Sequence, residues 1–165
     1  MDVAKVTEKT IKEGGVLAML YFDLHAATKE AAQQLGAGFV DHLIKTPGVV
    51  YALGEIDEPI SGGEGMNYST SISVKILTKD FLTLANICMN NSPFSVEILR
   101  PDEIRLPLSQ VHELLSTMSA TTAEYKRYII TKIAKPEEIA EFQRQLEIRA
   151  ELGKRLLEKK KGEEK

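Results

Sequence analysis

Between residues 16 and 100 the apolar residues recur with a strand period, then a helix period, then two strand periods, a helix period and a strand period, and few architectures accommodate that order. The run Val16-Leu17-Ala18-Met19-Leu20-Tyr21-Phe22-Asp23-Leu24-His25, preceded by Gly14-Gly15, reads as a strand. Alternation places Val16, Ala18, Leu20, Phe22 and Leu24 on a core side, with Leu17, Met19, Tyr21, Asp23 and His25 on the other. Thr28 is an N-cap residue for a helix whose Ala32, Leu35, Phe39, Val40 and Leu43 share a face until Pro47-Gly48. Residues 49–56 form a second strand, and Glu58 to Gly65 has the composition of a mobile connection. Residues 68–77 alternate cleanly, Ile72, Val74 and Ile76 against Ser71, Ser73 and Lys75. Phe81, Leu84, Ala85 and Cys88 then fall at helical spacing behind Thr78 as the expected cap, and Phe94, Val96 and Ile98 make a fourth strand.

This order predicts an α+β fold of the ferredoxin-like βαββαβ type: a four-stranded antiparallel sheet, both crossover helices on one side and additional C-terminal helices. Right-handed crossovers put the first and third strands in the centre. With 165 residues, 43% of them hydrophobic, one core is expected. The expected division is a polar N-terminal segment over 1–15, the βαββαβ domain over 16–106 and a helical extension over 107–165 ending in a frayed charged tail.

The helix running into Pro47-Gly48-Val49, the strand reaching Gly54 and the second strand entering a short helix resemble ACT-type and Lrp-type effector-binding modules. The resemblance covers about half the chain and implies a regulatory or oligomerisation module that takes a small effector. The turn Ala26-Ala27-Thr28 departs from those modules by lacking the glycine they place where the effector approaches the backbone.

In the extension, Ser109 is a capping type ahead of Val111, Leu114, Leu115, Met118, Tyr125, Ile129 and Ile133. Ser116 to Ala123 is almost entirely Ser, Thr and Ala, which fits a close backbone packing site or a break between two helices. From Lys135 onward 17 of 31 residues are charged, and Ile139, Phe142, Leu146, Ala150 and Leu157 leave only a narrow stripe. Arg149 and Gly153 interrupt any sustained heptad there. Tyr125, Ile129, Phe142 and Leu146 are the expected contacts between helices or with a neighbouring subunit.

The chemistry-bearing residues are few. Asp23 and His25 share a strand face, where Ser69 or Ser71 and Ser95 are expected nearby, and a carboxylate orienting an imidazole suits acid/base work or one edge of a metal site. No spacing supplies a third ligand, so no metal and no cofactor are expected, and a hydrogen-bonded pair at the sheet rim is the plainer reading. Lys75 and Glu97 should line the same open face with Ser73 and Tyr21. Ser61-Gly62-Gly63-Glu64-Gly65 precedes a strand and has no phosphate-loop lysine, so it reads as a hairpin loop. Cys88 lies on an apolar stripe, and His42 is expected on the solvent side of its helix. A net charge of −3 argues against nucleic acid, as does an open face that offers Ser71, Ser73, Lys75 and Tyr21 in place of the several aromatic and basic groups an RNA-recognition sheet exposes. No apolar run is long enough to span a membrane, and one cysteine excludes an intramolecular disulfide, so a cytoplasmic protein is expected.

These features lead to a non-catalytic module that forms a homo-oligomer, a dimer or higher, and holds a small polar effector through Asp23, His25, Ser71, Lys75 and Glu97. The alternatives are a small enzyme or metal-binding protein centred on Asp23 and His25, and an adaptor that docks through its charged C-terminal helix.

Overall fold

The computed structural model describes residues 2–61 and 67–163, the segment 155–163 as backbone alone. Its elements are α1 (Val3–Lys12), β1 (Val16–Ala26), α2 (Lys29–Lys45), β2 (Val49–Ile56), β3 (Ile60–Ser61), β4 (Tyr68–Thr78), α3 (Phe81–Asn91), β5 (Ser95–Arg100), α4 (Leu108–Ile133) and α5 (Pro136–Glu163). The fold is α+β. Contacts divide the chain into Met1–Leu115 and Ser116–Lys165, a division that falls within α4.

In the first unit one antiparallel sheet is ordered β2-β4-β1-β5, with the short β3 paired to the start of β4. The central strands are thus the first and third long strands of the sequence. β1 and β4 pair along their whole length, from Val16 opposite Thr78 to Ala26 opposite Tyr68. That register puts Val16, Ala18, Leu20 and Phe22 beside Ile76, Val74 and Ile72, where Leu43 of α2 and Leu84 and Ile87 of α3 close the core. Each large side chain buried there contributes about 1.5–3 kcal/mol relative to exposure.

Local chemistry sets the element ends. Thr28 Oγ1 accepts from Ala31 N at 3.1 Å and starts α2 as expected. The cap of α3 is Asp80, whose Oδ1 accepts from Thr83 N at 2.7 Å; Thr78 is instead buried and donates to the Asp80 carbonyl. α4 starts one residue ahead of Ser109, where Gln110 and Val111 N–H groups reach the Pro107 carbonyl. Gly48 sits at φ +90°, a left-handed turn against Thr83 that a side chain would strain.

Three features of the helices add to what the pattern in the sequence shows. The polar segment 1–15 contains α1, capped by Asp2 and seated on the sheet through Val6 and Ile11 against Leu17, Tyr51 and Leu77. Ser116 to Ala123 is unbroken helix, so α4 is one rod. The segment 159–163, expected to fray, is part of α5, which runs to Glu163; residues 164 and 165 lie outside the described residues. The Ser61–Gly65 hairpin reading lies outside them too, apart from Ser61 at the end of β3.

Candidate functional site

The sheet face opposite α2 and α3 is graded along its strands, because the register stacks residues of four strands into rows. The first row, Tyr51-Leu77-Leu17 with Leu99 beside it, is apolar and covered by α1. Thr7 of α1 supports it: its hydroxyl donates to the Val3 carbonyl at 2.7 Å and accepts from Tyr51 Oη at 2.9 Å in a buried contact. Glu8 pairs with Arg100 at the end of β5, and the guanidinium holds the Glu8 carboxyl below the usual carboxylate range.

Beyond α1 the rows turn polar. Leu53, Lys75, Met19 and Glu97 form the second, and Glu55, Ser73, Tyr21 and Ser95 the third. Lys75 and Glu97 flank Met19 on either side, so their strands lie roughly 10 Å apart at about 4.8 Å per strand spacing. Among the described residues neither side chain forms a hydrogen bond or ion pair. In the fourth row Asp23 faces Ser71, whose hydroxyl donates to the Asp57 carboxylate. His25 and Ser69 make the fifth.

At the far end the side chains form a continuous chain. His25 Nδ1 lies 2.9 Å from Ser69 Oγ and His25 Nε2 lies 3.0 Å from Asp23 Oδ2. With Nε2 protonated, the imidazole donates to Asp23 and accepts from the Ser69 hydroxyl, the connectivity of a serine-histidine-carboxylate relay. The side chains of His25 and Asp23 are 58% and 63% exposed, so water competes for every bond in that chain and the pair adds at most about 1 kcal/mol. Exposure decides the chemistry: an imidazole in bulk water does not activate a hydroxyl as an enclosed one does.

The structure therefore brings Asp23, His25, Ser71, Lys75 and Glu97 onto one face, in rows two, four and five. Ser95 stands beside Tyr21 and not beside the Asp23–His25 pair, because β5 pairs with β1 only as far as Tyr21. Asp57 is the residue the sequence pattern missed; it follows β2 in a segment without periodicity, and only the β2–β4 register brings it to Ser71. Among the described residues no cluster of three or more His, Cys, Asp or Glu is disposed to hold a metal ion.

Other candidates fall elsewhere. His42 is exposed, as expected, and lines a cavity of about 670 Å³ between α2 and α3 with Lys45, Thr83, Asn86 and Asn90. None of the five open-face residues borders it. Cys88 is half-buried against the core, and burial pushes its thiol up, which disfavours the thiolate.

On α4, Tyr125 and Ile129 are both exposed. Phe142 and Leu146 of α5 are half-buried, and Phe142 shares an open concavity of about 510 Å³ with Ile130 and Ala134. Lys135 N donates to Glu138 Oε2 at 2.9 Å, which satisfies the backbone ahead of Pro136 and starts α5. No helix among the described residues is long and apolar enough to cross a membrane.

Residues 17–156 match the family model of the MJ0538 family, and the chain belongs to that family. No curated protein and no solved structure matches the chain.

Proposed function

We propose that this member of the MJ0538 family is a non-catalytic, ferredoxin-like module of the ACT-like kind, which self-associates through its C-terminal helices and holds a small polar effector on its open sheet face. The sheet order, with β1 and β4 central and two helices over one face, supports the ferredoxin-like description. The observation that carries the functional reading is α4: 26 residues long with a broad apolar stripe, it has no buried residue. A helix of that kind is stabilised by packing on something. Tyr125 and Ile129 lie on the stripe, and Phe142 and Leu146 extend the contact onto α5.

The effector surface is the polar part of the open face. Lys75 offers a cation and Glu97 an anion, neither engaged with another described residue, while Ser71, Asp23 and His25 offer hydrogen bonds at the far end. A small molecule carrying both charges and hydroxyl or amide groups suits that spread. A thermal-shift screen of the purified chain against amino acids, nucleotides and divalent cations tests this, because a ligand of the native state alone raises stability, by about 2.7 kcal/mol at a hundred times its Kd. The expected result is stabilisation by one small polar compound that Lys75→Ala abolishes without loss of cooperative unfolding. Absence of any shift across the screen would overturn the effector role.

The hydrogen-bonded chain Ser69–His25–Asp23 favours a second reading, a small hydrolytic enzyme or metal-binding protein centred there. Under it, His25→Ala removes a substrate- or metal-dependent stabilisation that Lys75→Ala leaves intact.

A further inference from the structure

We infer that α4 pairs antiparallel with α4 of a second copy about a two-fold axis at Ala120, an inference that rests on the self-association proposed above. The stripe of α4 follows a heptad: Leu108, Leu115, Thr122 and Ile129 occupy one seam position, Val111, Met118, Tyr125 and Lys132 the other. Of these, Leu108, Leu115, Met118, Tyr125 and Ile129 are exposed large side chains. Antiparallel pairing sets residues equidistant from Ala120 opposite one another. Val111 then faces Ile129, Leu115 faces Tyr125 and Met118 faces Thr122, so every central layer matches one seam position with the other. Leu114 and Tyr128 widen the contact along one flank.

The stretch Ser116 to Ala123 lies at the centre of this arrangement. Small side chains there let two backbones approach where the axis passes, while the bulky layers lie on both sides. A parallel, in-register pair would instead stack Lys132 on its own copy at a seam position, placing two ammonium groups together. Antiparallel pairing sends each Lys132 to an end, where its stem covers Leu108 and its ammonium stays over the Tyr128 ring, 5.7 Å from the centroid.

The exposed stripe comes close to the apolar area that a second copy needs. At about 60–120 Å² per aliphatic side chain and 150–250 Å² per aromatic one, the exposed fractions along the stripe supply on the order of 450 Å² of apolar surface per copy. A standard interface takes about 800 Å² from each partner, of which a homodimer makes about 65% apolar. The overlap also closes on itself, since each copy uses the same surface and none of the stripe is left to recruit a third.

Distances between spin labels on the full chain test the register. Cys88→Ala removes the native thiol, and Glu113→Cys, Ala120→Cys or Arg127→Cys then supplies one label on the outer side of α4, each a heptad from the next. Antiparallel pairing about Ala120 predicts the shortest distance at 120 and longer ones at 113 and 127, where copies are offset along the axis by about 21 Å at 1.5 Å per residue. Equal distances at all three positions would mean parallel pairing and would overturn the inference. Leu115→Asp with Ile129→Glu should raise the dimer Kd at least about 100-fold while unfolding stays cooperative, since both side chains are exposed within one chain. A dimer unaffected by that pair would place self-association on another surface, overturning this inference alone; a monomeric parent chain would overturn it together with the proposed self-association.

Discussion

Thr7 and Tyr51 show how one hydroxyl governs the seat of a helix. Thr7 Oγ1 donates to Val3 and accepts from Tyr51, so the two ends of the contact are not equivalent. Thr7→Val leaves the buried Tyr51 hydroxyl without its acceptor and should cost about 1–3 kcal/mol, whereas Tyr51→Phe removes that donor and leaves Thr7 bonded to Val3, costing about 0.5–1.5 kcal/mol. Urea unfolding of both variants checks the order; equal losses would mean water reaches the site. Gly15 makes a second test. A Cβ there would lie 2.6 Å from the Thr78 carbonyl oxygen and 2.8 Å from that of Thr10, both backbone atoms, so Gly15→Ala should destabilise by about 1–3 kcal/mol. The open-face residues behave differently: His25 and Asp23 are exposed, and His25→Ala should change stability by less than about 1 kcal/mol in the same measurement.

At the scale of elements, α1 adds an exposed charge pair, Glu8 with Arg100 of β5, to its apolar seat. The Glu8 carboxyl titrates lower in the folded chain than in the unfolded one because Arg100 lies beside it. The unfolded state therefore binds the proton more readily in acid. The contribution is fully present above the unfolded carboxylate pKa of about 4.3 and disappears as pH falls through the folded value. The stability difference between the parent chain and Glu8→Gln should be constant from pH 6 to 8 and shrink toward pH 3, as denaturant titration at each pH would record. A constant difference throughout would show that the carboxylate charge is not what holds the helix end.

The same helix shows where the sequence was opaque. β1, β4, α2 and the apolar stripe of α4 were legible because their periods are long and their core positions are filled by Val, Ile, Leu and Phe. In α1 two core-facing positions are Thr7 and Thr10, polar by composition and buried in place, so the apolar pattern does not reveal the helix. Thr78 and Asp80 are both capping residues two positions apart, and only the end of β4 decides between them. The rows of the open face follow from alternation and the pairing of the strands, which set Lys75 and Glu97 on either side of Met19. The bond from Ser71 to Asp57 needed a three-dimensional register.

At the scale of the whole molecule, the two units differ in how much apolar surface they bury. Residues 1–115 bury a conventional core and leave a polar sheet face, whereas α4 and α5 carry apolar side chains that a single copy leaves half-exposed or exposed. In the proposed dimer a second copy covers those side chains. The most direct measurement is the molar mass of the full chain in solution by multi-angle light scattering over a range of concentrations. The account predicts at least twice the 18.3 kDa of one chain, falling toward that value on dilution or with Ile129→Glu. A constant mass of one chain up to the highest soluble concentration would contradict it.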